Sequence, residues 1–416
     1  MSRLSVVSPW IATVSTHLPL LSRPQARRLA EWSYAVAVTQ CAGISSTAAF
    51  LAALLDEQEN SVRQRLREWY QEAARKRGAQ RRDVVASACF AGLLAWVLAW
   101  WPPDERRLAL ALDATTLGER FTVLSVSVVY RGCALPVAWA ITRANTPGAW
   151  RPHWERLLRL LSQRIPADWL VLVLADRGLY ARWLFVAIQR QHWHPFLRVT
   201  TSGLCQPLRD TGDLAPTRRL ADLAPTVGTQ WCGEAACFTT PARSLRCTVL
   251  AWWEAPHADR WLILTDLTPT QADVAWYGLR AWIEQGFKDL KRGGWGWQHT
   301  KMTDPARAER YWVVLAVATL WVISLGGQAE GSRWETGGSG DGSDGPVSGV
   351  PLLPLPGRPR RLSVFRRGRL TLLADLLHGH QPPLGYFARS VWPGKRTAAA
   401  QTVSGLPPLS PSYTYP

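Results

Sequence analysis

Apolar residues recur near 3.6-residue spacing over 25–39, 47–55 and 61–77, which predicts three helices in the first hundred residues. Between the last two lies the polar run Asp56-Glu57-Gln58-Glu59-Asn60, a short turn after which Ser61 is the expected N-cap. From Leu108 the pattern changes to that of strands. Residues 108–112 are apolar and end at Asp113, 121–130 are rich in β-branched side chains, and 134–141 follow the turn residues Arg131-Gly132. Three strands joined so closely predict an antiparallel meander. A helix over 150–163 leads into 169–175, a continuous apolar run suited to a strand covered on both faces, which stops at Asp176-Arg177-Gly178. A helix over 180–191 and a strand over 195–200 come next.

Residues 201–269 are turn-rich and polar between short strands at 247–253 and 261–264, the pattern of an inserted β-rich domain. Helical character returns over 271–290, and 306–324 reads as a long apolar helix that packs on a sheet. The stretch 326–357 is rich in Gly, Ser, Asp and Pro and is expected to be a flexible linker; a basic segment, 358–378, is expected to form a last helix before a Pro-rich, disordered end. The expected fold class is α/β. Its divisions are a helical region over 1–105, a core in two parts (106–200 and 270–325), the β-rich insertion over 201–269, the linker over 326–357 and a basic tail over 358–416. Two apolar stretches tempt a membrane reading. The one at 312–325 is too short to span, and the one at 84–101 contains Ser87, Cys89 and Gly92 and runs into Pro102-Pro103-Asp104, so both read as buried helices. Residues 1–21, broken by Pro9 and Pro19, do not form a signal peptide, and an intracellular protein is expected.

The charge adds a partner to this picture. With 48 Lys and Arg against 31 Asp and Glu, the net charge of +17 points to a polyanion, although a merely solvated basic surface or a GC-rich codon bias toward Arg accounts for the same totals. Arg63, Arg65 and Arg67, then Arg75, Lys76, Arg77, Arg81 and Arg82, cluster on and after the third helix. That is the layout of a helix-turn-helix DNA reader, and equally of an amphipathic bundle with a wet basic face. The seven cysteines are odd in number and scattered, so they read as reduced thiols; a zinc site from Cys205, Cys232, Cys237 and Cys247 would have the wrong spacing and no nearby His.

The chemistry rests on carboxylates. Asp113 and Asp176 each close an apolar strand, where a charge gains nothing from packing. If the strands are neighbours the two acids converge, and they then repel unless a hard cation such as Mg²⁺ or Mn²⁺ lies between them. Taken singly, each is equally an ordinary strand-end or N-cap aspartate. A third element changes the weighting: Tyr277, Arg280, Glu284 and Lys291 form Tyr-x2-Arg-x3-Glu-x6-Lys, which on one helix places all four on one face. A surface salt-bridge stripe would leave Ile283 and Phe287 beside that acid unexplained.

On these residues, together with Leu-Asp-Ala-Thr-Thr around Asp113 and Ala-Asp-Arg-Gly around Asp176, the chain resembles the DDE transposases of bacterial insertion sequences. Within them it resembles the insertion-sequence-four group, whose last motif carries the Tyr-Arg-Glu-Lys signature. The resemblance covers roughly 108–324. It implies a ribonuclease-H-like catalytic core with a β-rich insertion between the second and third acids, preceded by a helical DNA-binding region. It implies that Asp113, Asp176 and Glu284 hold two Mg²⁺ or Mn²⁺ ions for phosphodiester hydrolysis and strand transfer, while Tyr277, Arg280 and Lys291 grip the neighbouring phosphates. It further implies double-stranded DNA partners (element ends and target), a homodimer in the synaptic complex, no membrane association, and a cytoplasmic, nucleoid-associated enzyme of cut-and-paste transposition. Hairpin formation in this family needs a stacked, flipped base; Trp252, Trp253 and Trp261 are candidate platforms, each equally readable as a buried structural residue. Two other readings stay open: a ribonuclease-H-like nuclease that cuts without joining, and an inactive DNA-binding relic.

Overall fold

The computed structural model describes residues 6–76, 82–144, 150–238, 244–255, 257–336 and 362–394. Arg77 and Arg81 of the basic cluster lie outside these residues, as do 337–357 of the expected linker and 358–361 and 395–416 of the expected basic tail. The chain opens with five helices, α1 (Ser8–His17), α2 (Arg23–Thr39), α3 (Ile44–Leu55), α4 (Glu59–Tyr70) and α5 (Ala86–Ala99). Ser22 and Gln25 form a reciprocal capping box at the start of α2. The turn between α3 and α4 is shorter than the sequence predicts. Asp56 ends α3 in the left-handed region at φ 59°, and α4 begins at Glu59 with Gln58 as its N-cap, so Ser61 lies inside the helix. Glu59 in the first turn complements the positive end of the helix dipole, which Ser61 as a cap would have forfeited.

The meander follows as β1 (Arg107–Leu117), β2 (Phe121–Tyr130) and β3 (Cys133–Arg143). Then come α6 (Arg151–Ser162), β4 (Leu170–Ala175), α7 (Arg182–Gln189) and β5 (His194–Arg198). β1 pairs antiparallel with β2 and parallel with β4, and β4 pairs parallel with β5, giving the order β3-β2-β1-β4-β5. Every residue of β2 is buried, as expected for a strand packed on both faces.

The strands of the β-rich insertion do not make a sheet of their own. β6 (Leu204–Pro207), β7 (Arg218–Arg219), β8 (Gln230–Cys237), β9 (Leu245–Trp252) and β10 (Trp261–Thr265) continue the same sheet, because β10 pairs antiparallel with β5 at Ile263 opposite Arg198. The result is one sheet of ten strands.

Among the described residues three α-helices follow: α8 (Trp282–Leu290), α9 (Pro305–Thr336) and α10 (Val364–Leu377). α9 is the axis of the helical layer, touching β3, α2, α4, α5 and α10. Its stretch Pro305–Glu330 is long and apolar enough to cross a membrane, which overturns the argument from shortness; 94% of that window is nevertheless buried inside the protein. The helix also runs through 326–336, the first part of the expected linker. Gly326 ends no helix there. A Cβ on Gly326 would overlap the Val364 carbonyl, and one on Gly368 that of Val322, so the two glycines let α9 and α10 cross at backbone contact. Beyond α10 the tail folds back over the core: Phe387 N–H donates to the Trp100 carbonyl (2.6 Å), Tyr130 Oη to that of Ala388 (2.8 Å), and Trp392 packs on Trp276 (5.6 Å).

Candidate active site

Asp113 lies within β1, which continues to Leu117, and not at its end as the apolar run predicts. The strand outlasts its apolar stretch because pairing with β2 carries it on through Thr115 and Thr116. Asp176 directly follows β4. The parallel register pairs Leu112 with Ala175, so the two aspartates leave neighbouring strands at the same level. Each carboxylate is fixed by a backbone amide: Asp113 Oδ1 accepts from Ala114 N–H (2.8 Å) and Asp176 Oδ1 from Gly178 N–H (2.9 Å).

The segment carrying the four-residue signature is not one α-helix. Residues Val274–Ala281 wind as a 3₁₀ helix, whose first turn Asp273 caps by accepting from Ala275 N–H (2.9 Å), and α8 begins only at Trp282. Lys291 sits just past the end of α8. The tighter winding separates the four side chains that a uniform helix would align. Arg280 and Glu284 still meet, one turn apart, and Arg280 reaches across to the sheet. Its Nη2 contacts Asp113 Oδ2 (2.9 Å) and Asp176 Oδ2 (3.4 Å), and its Nη1 contacts Glu284 Oε1 (2.7 Å). One guanidinium thus gathers three carboxylates drawn from two strands and a helix. Side-chain exposure rises from 13% at Arg280 and 17% at Asp113 to 36% at Asp176 and 56% at Glu284, so the cluster opens to solvent on the Glu284 side. Burial raises the pKa of Asp113 above the usual carboxylate range; Arg280 and the Ala114 amide oppose this, and the negative charges of Asp176 and Glu284 add to it.

Tyr277 is buried, with its hydroxyl toward the Ala175 carbonyl (3.5 Å) and its ring edge-on to Trp261 (5.2 Å). Burial pushes its phenol up to about 12. Lys291 turns to the end of β1, where its Nζ donates to Thr115 Oγ1 (2.7 Å) and the Thr116 carbonyl (2.8 Å). Both partners belong to the Leu-Asp-Ala-Thr-Thr segment around Asp113. Of the three candidate platform tryptophans, Trp252 contacts Trp261 (5.2 Å) and so extends an aromatic row that ends on Tyr277. Trp253 lies instead under the Arg260 guanidinium (4.3 Å). Sequence reasoning missed Asp289, a buried carboxyl pushed up to about 6 by burial. Its one signal is the spacing from Gln285, which donates to it at 2.8 Å. Cys205, Cys237 and Cys247 are buried and Cys232 is exposed.

Among the described residues no group of three or more His, Cys, Asp or Glu is arranged to hold a metal ion. At the acid cluster the donor set itself fits a hard divalent cation. Three carboxylates face one positive centre, Arg280, and all of their donors are oxygen.

A search of curated proteins finds no match to this chain. The family model described as "Transposase DDE domain" matches residues 106–321, a span from the start of β1 through most of α9 that contains the whole acid cluster. The chain therefore belongs to the transposase DDE-domain family, whose members cleave DNA and transfer its strands.

Proposed function

We propose that this chain is a cut-and-paste transposase of the insertion-sequence-four group in which Asp113, Asp176 and Glu284 are the catalytic acids. The observation that carries the reading is the convergence of these acids on Arg280 from β1, β4 and α8. The meander followed by two parallel strands, in the order β3-β2-β1-β4-β5, supports a ribonuclease-H-like core.

Divalent Mg²⁺ or Mn²⁺, held by the three acids, would neutralise charge on the attacking and leaving oxygens of an in-line phosphodiester displacement. The rest of the work falls to the chain. The Ala114 and Gly178 amides fix the two aspartates before substrate arrives, so little reorganisation accompanies the reaction. Arg280, once the acids have another cation to face, is free to turn its planar fork to a phosphate beside the cleaved bond. Lys291 positions the end of β1 and presents a charge at the same edge. Tyr277 acts from below by packing between Trp261 and the end of β4, and so sets the angle of the 3₁₀ segment. The row from Trp252 through Trp261 supports a place for a flipped base near the acids better than Trp253, whose face is covered by Arg260. DNA binding by the α3–α4 pair, double-stranded DNA at element ends and target, a homodimer in the synaptic complex and a cytoplasmic, nucleoid-associated site of action belong to the same proposal.

A strand-transfer assay with pre-cleaved ends tests it. Joined products that require divalent metal support the proposal, whereas metal-dependent cutting without joining identifies a nuclease. Replacing Arg280 or Lys291 singly by Ala is expected to lower the salt slope of DNA binding by roughly 0.9 for each phosphate no longer neutralised. An unchanged slope removes that residue from the DNA interface.

A further inference from the structure

Beside the acid cluster, between the end of β1 and the end of α8, lies a cleft of about 380 Å³. Leu117 and Phe287, both largely buried, contribute its apolar lining, and Lys288, Lys291 and Arg292 its charge; no carboxylate lines it. Lys288 and Arg292 are exposed and make no ion pair among the described residues. Lys291 is bonded to neutral oxygens alone, the Thr115 hydroxyl and the Thr116 carbonyl. This contrasts with the arginines of α4, where Arg63 is paired with Glu59 and Arg65 with Glu57. Three cations that form no ion pair among the described residues repel one another around an apolar floor, and an anionic ligand with a flat apolar part relieves both strains at once.

The cleft is continuous with the acids. Lys288 follows Glu284 by one helical turn, about 6 Å along the axis of α8. On the opposite wall Thr116 is three residues beyond Asp113 on β1. A strand whose phosphate sits at the acid cluster therefore has its neighbouring nucleotide at the mouth of the cleft.

We propose that this cleft seats one nucleotide of the DNA strand next to the cleaved bond, with the base against Phe287 and Leu117 and the flanking phosphates on Lys288, Lys291 and Arg292. The proposal rests on the assignment of the acids as the reaction centre, and it adds a base contact in a cleft that neither Trp252 nor Trp261 lines.

The test uses the full chain carrying Asp113→Ala, so that DNA is bound and not cut. Duplex ends with a single abasic position, moved one nucleotide at a time away from the cleavage point, are titrated against this chain by fluorescence anisotropy at several salt concentrations. One position within two nucleotides of the cleaved bond is expected to weaken binding by roughly 5- to 100-fold, the range of a missing base–aromatic stack. Adding Phe287→Leu, which keeps an apolar side chain but removes the ring, is expected to abolish the penalty at that position while other positions keep theirs. Adding Lys288→Ala and Arg292→Ala together is expected to lower the salt slope by roughly 0.7–0.9 for each phosphate left without its cation. An abasic profile that Phe287→Leu leaves unchanged overturns the base seat, and an unchanged salt slope overturns the phosphate contacts. If the parent chain cuts and joins DNA while both results are negative, only the cleft is refuted. If the parent neither binds nor cuts ends, the assignment of the acids falls with it.

Discussion

The acid cluster and the helical layer around α9 solve opposite problems against the same ten-stranded sheet. Around α9 aromatic packing dominates: Trp10 stacks on Trp321 (4.5 Å), Trp321 on Tyr34 (5.6 Å), and the indole nitrogens of Trp32, Trp96, Trp312 and Trp321 are buried without hydrogen-bond partners. There the indoles serve as large apolar volumes, and stability comes from area removed from water. At the acid cluster hardly any apolar area is gained. Four charged side chains are held instead by one another and by two backbone amides. The difference teaches that the core sets the stability and the cluster sets the chemistry, so that substitutions in the two regions are expected to fail in different assays.

The largest effect is expected at the cluster. Asp113→Ala, Asp176→Ala or Glu284→Ala should each remove metal-dependent DNA cleavage, by at least the roughly 10²–10³-fold that removing one transition-state charge partner costs. Thermal unfolding should stay near that of the parent, since burial already disfavours the charge on Asp113. A variant that still cuts near the parent rate breaks the assignment, and one that unfolds early breaks the contrast between the regions. Next in size is Trp321→Ala, for which a loss of about 3–5 kcal/mol in urea unfolding is expected from the cavity it leaves. Any cleavage that disappears with it should return at lower temperature, where the folded fraction recovers.

The smallest effect sharpens the boundary between the two regions at Asp289, a buried acid on α8 itself. Its folded-state pKa of about 6 lies above the ordinary value of 3.8, so the folded protein keeps a proton that the unfolded chain has released. Stability is therefore lost as pH rises from about 4 to about 6, and the deficit persists above that window. Asp289→Asn should remove this dependence and gain about 1–3 kcal/mol at pH 7.5, with no gain below about pH 4. Parallel stability–pH curves for parent and variant would show that Asp289 is not the group responsible.

Much of the site was legible because its signals are local. An apolar run followed by Asp marks both β1 and β4, and a fixed spacing ties Arg280 to Glu284. What was not legible depends on pairing between distant segments. Whether β10 joins β5 or starts a new sheet is decided by contacts that no local period records. Gly326 reads as a helix breaker until Gly368 is seen pressed against the same helix. With the spacing of the signature unchanged, the 3₁₀ winding before α8 redirects Tyr277 inward, and the end of α8 at Leu290 turns Lys291 toward Thr115. Residues 379–394, the described part of an end read as disordered from its prolines, pack through Trp100, Tyr130 and Trp276, partners supplied far upstream.

The position of α9 in the chain also orders events during synthesis. α2, α4 and α5 lay their apolar faces on a helix that begins only at Pro305. At roughly 5–20 residues per second, those faces wait from about ten seconds to about a minute for their partner to leave the ribosome. Through that interval the nascent N-terminal helices are exposed, apolar and tryptophan-rich, a stage at which chaperones find their binding sites and at which premature termination before α9 would leave a product without a core.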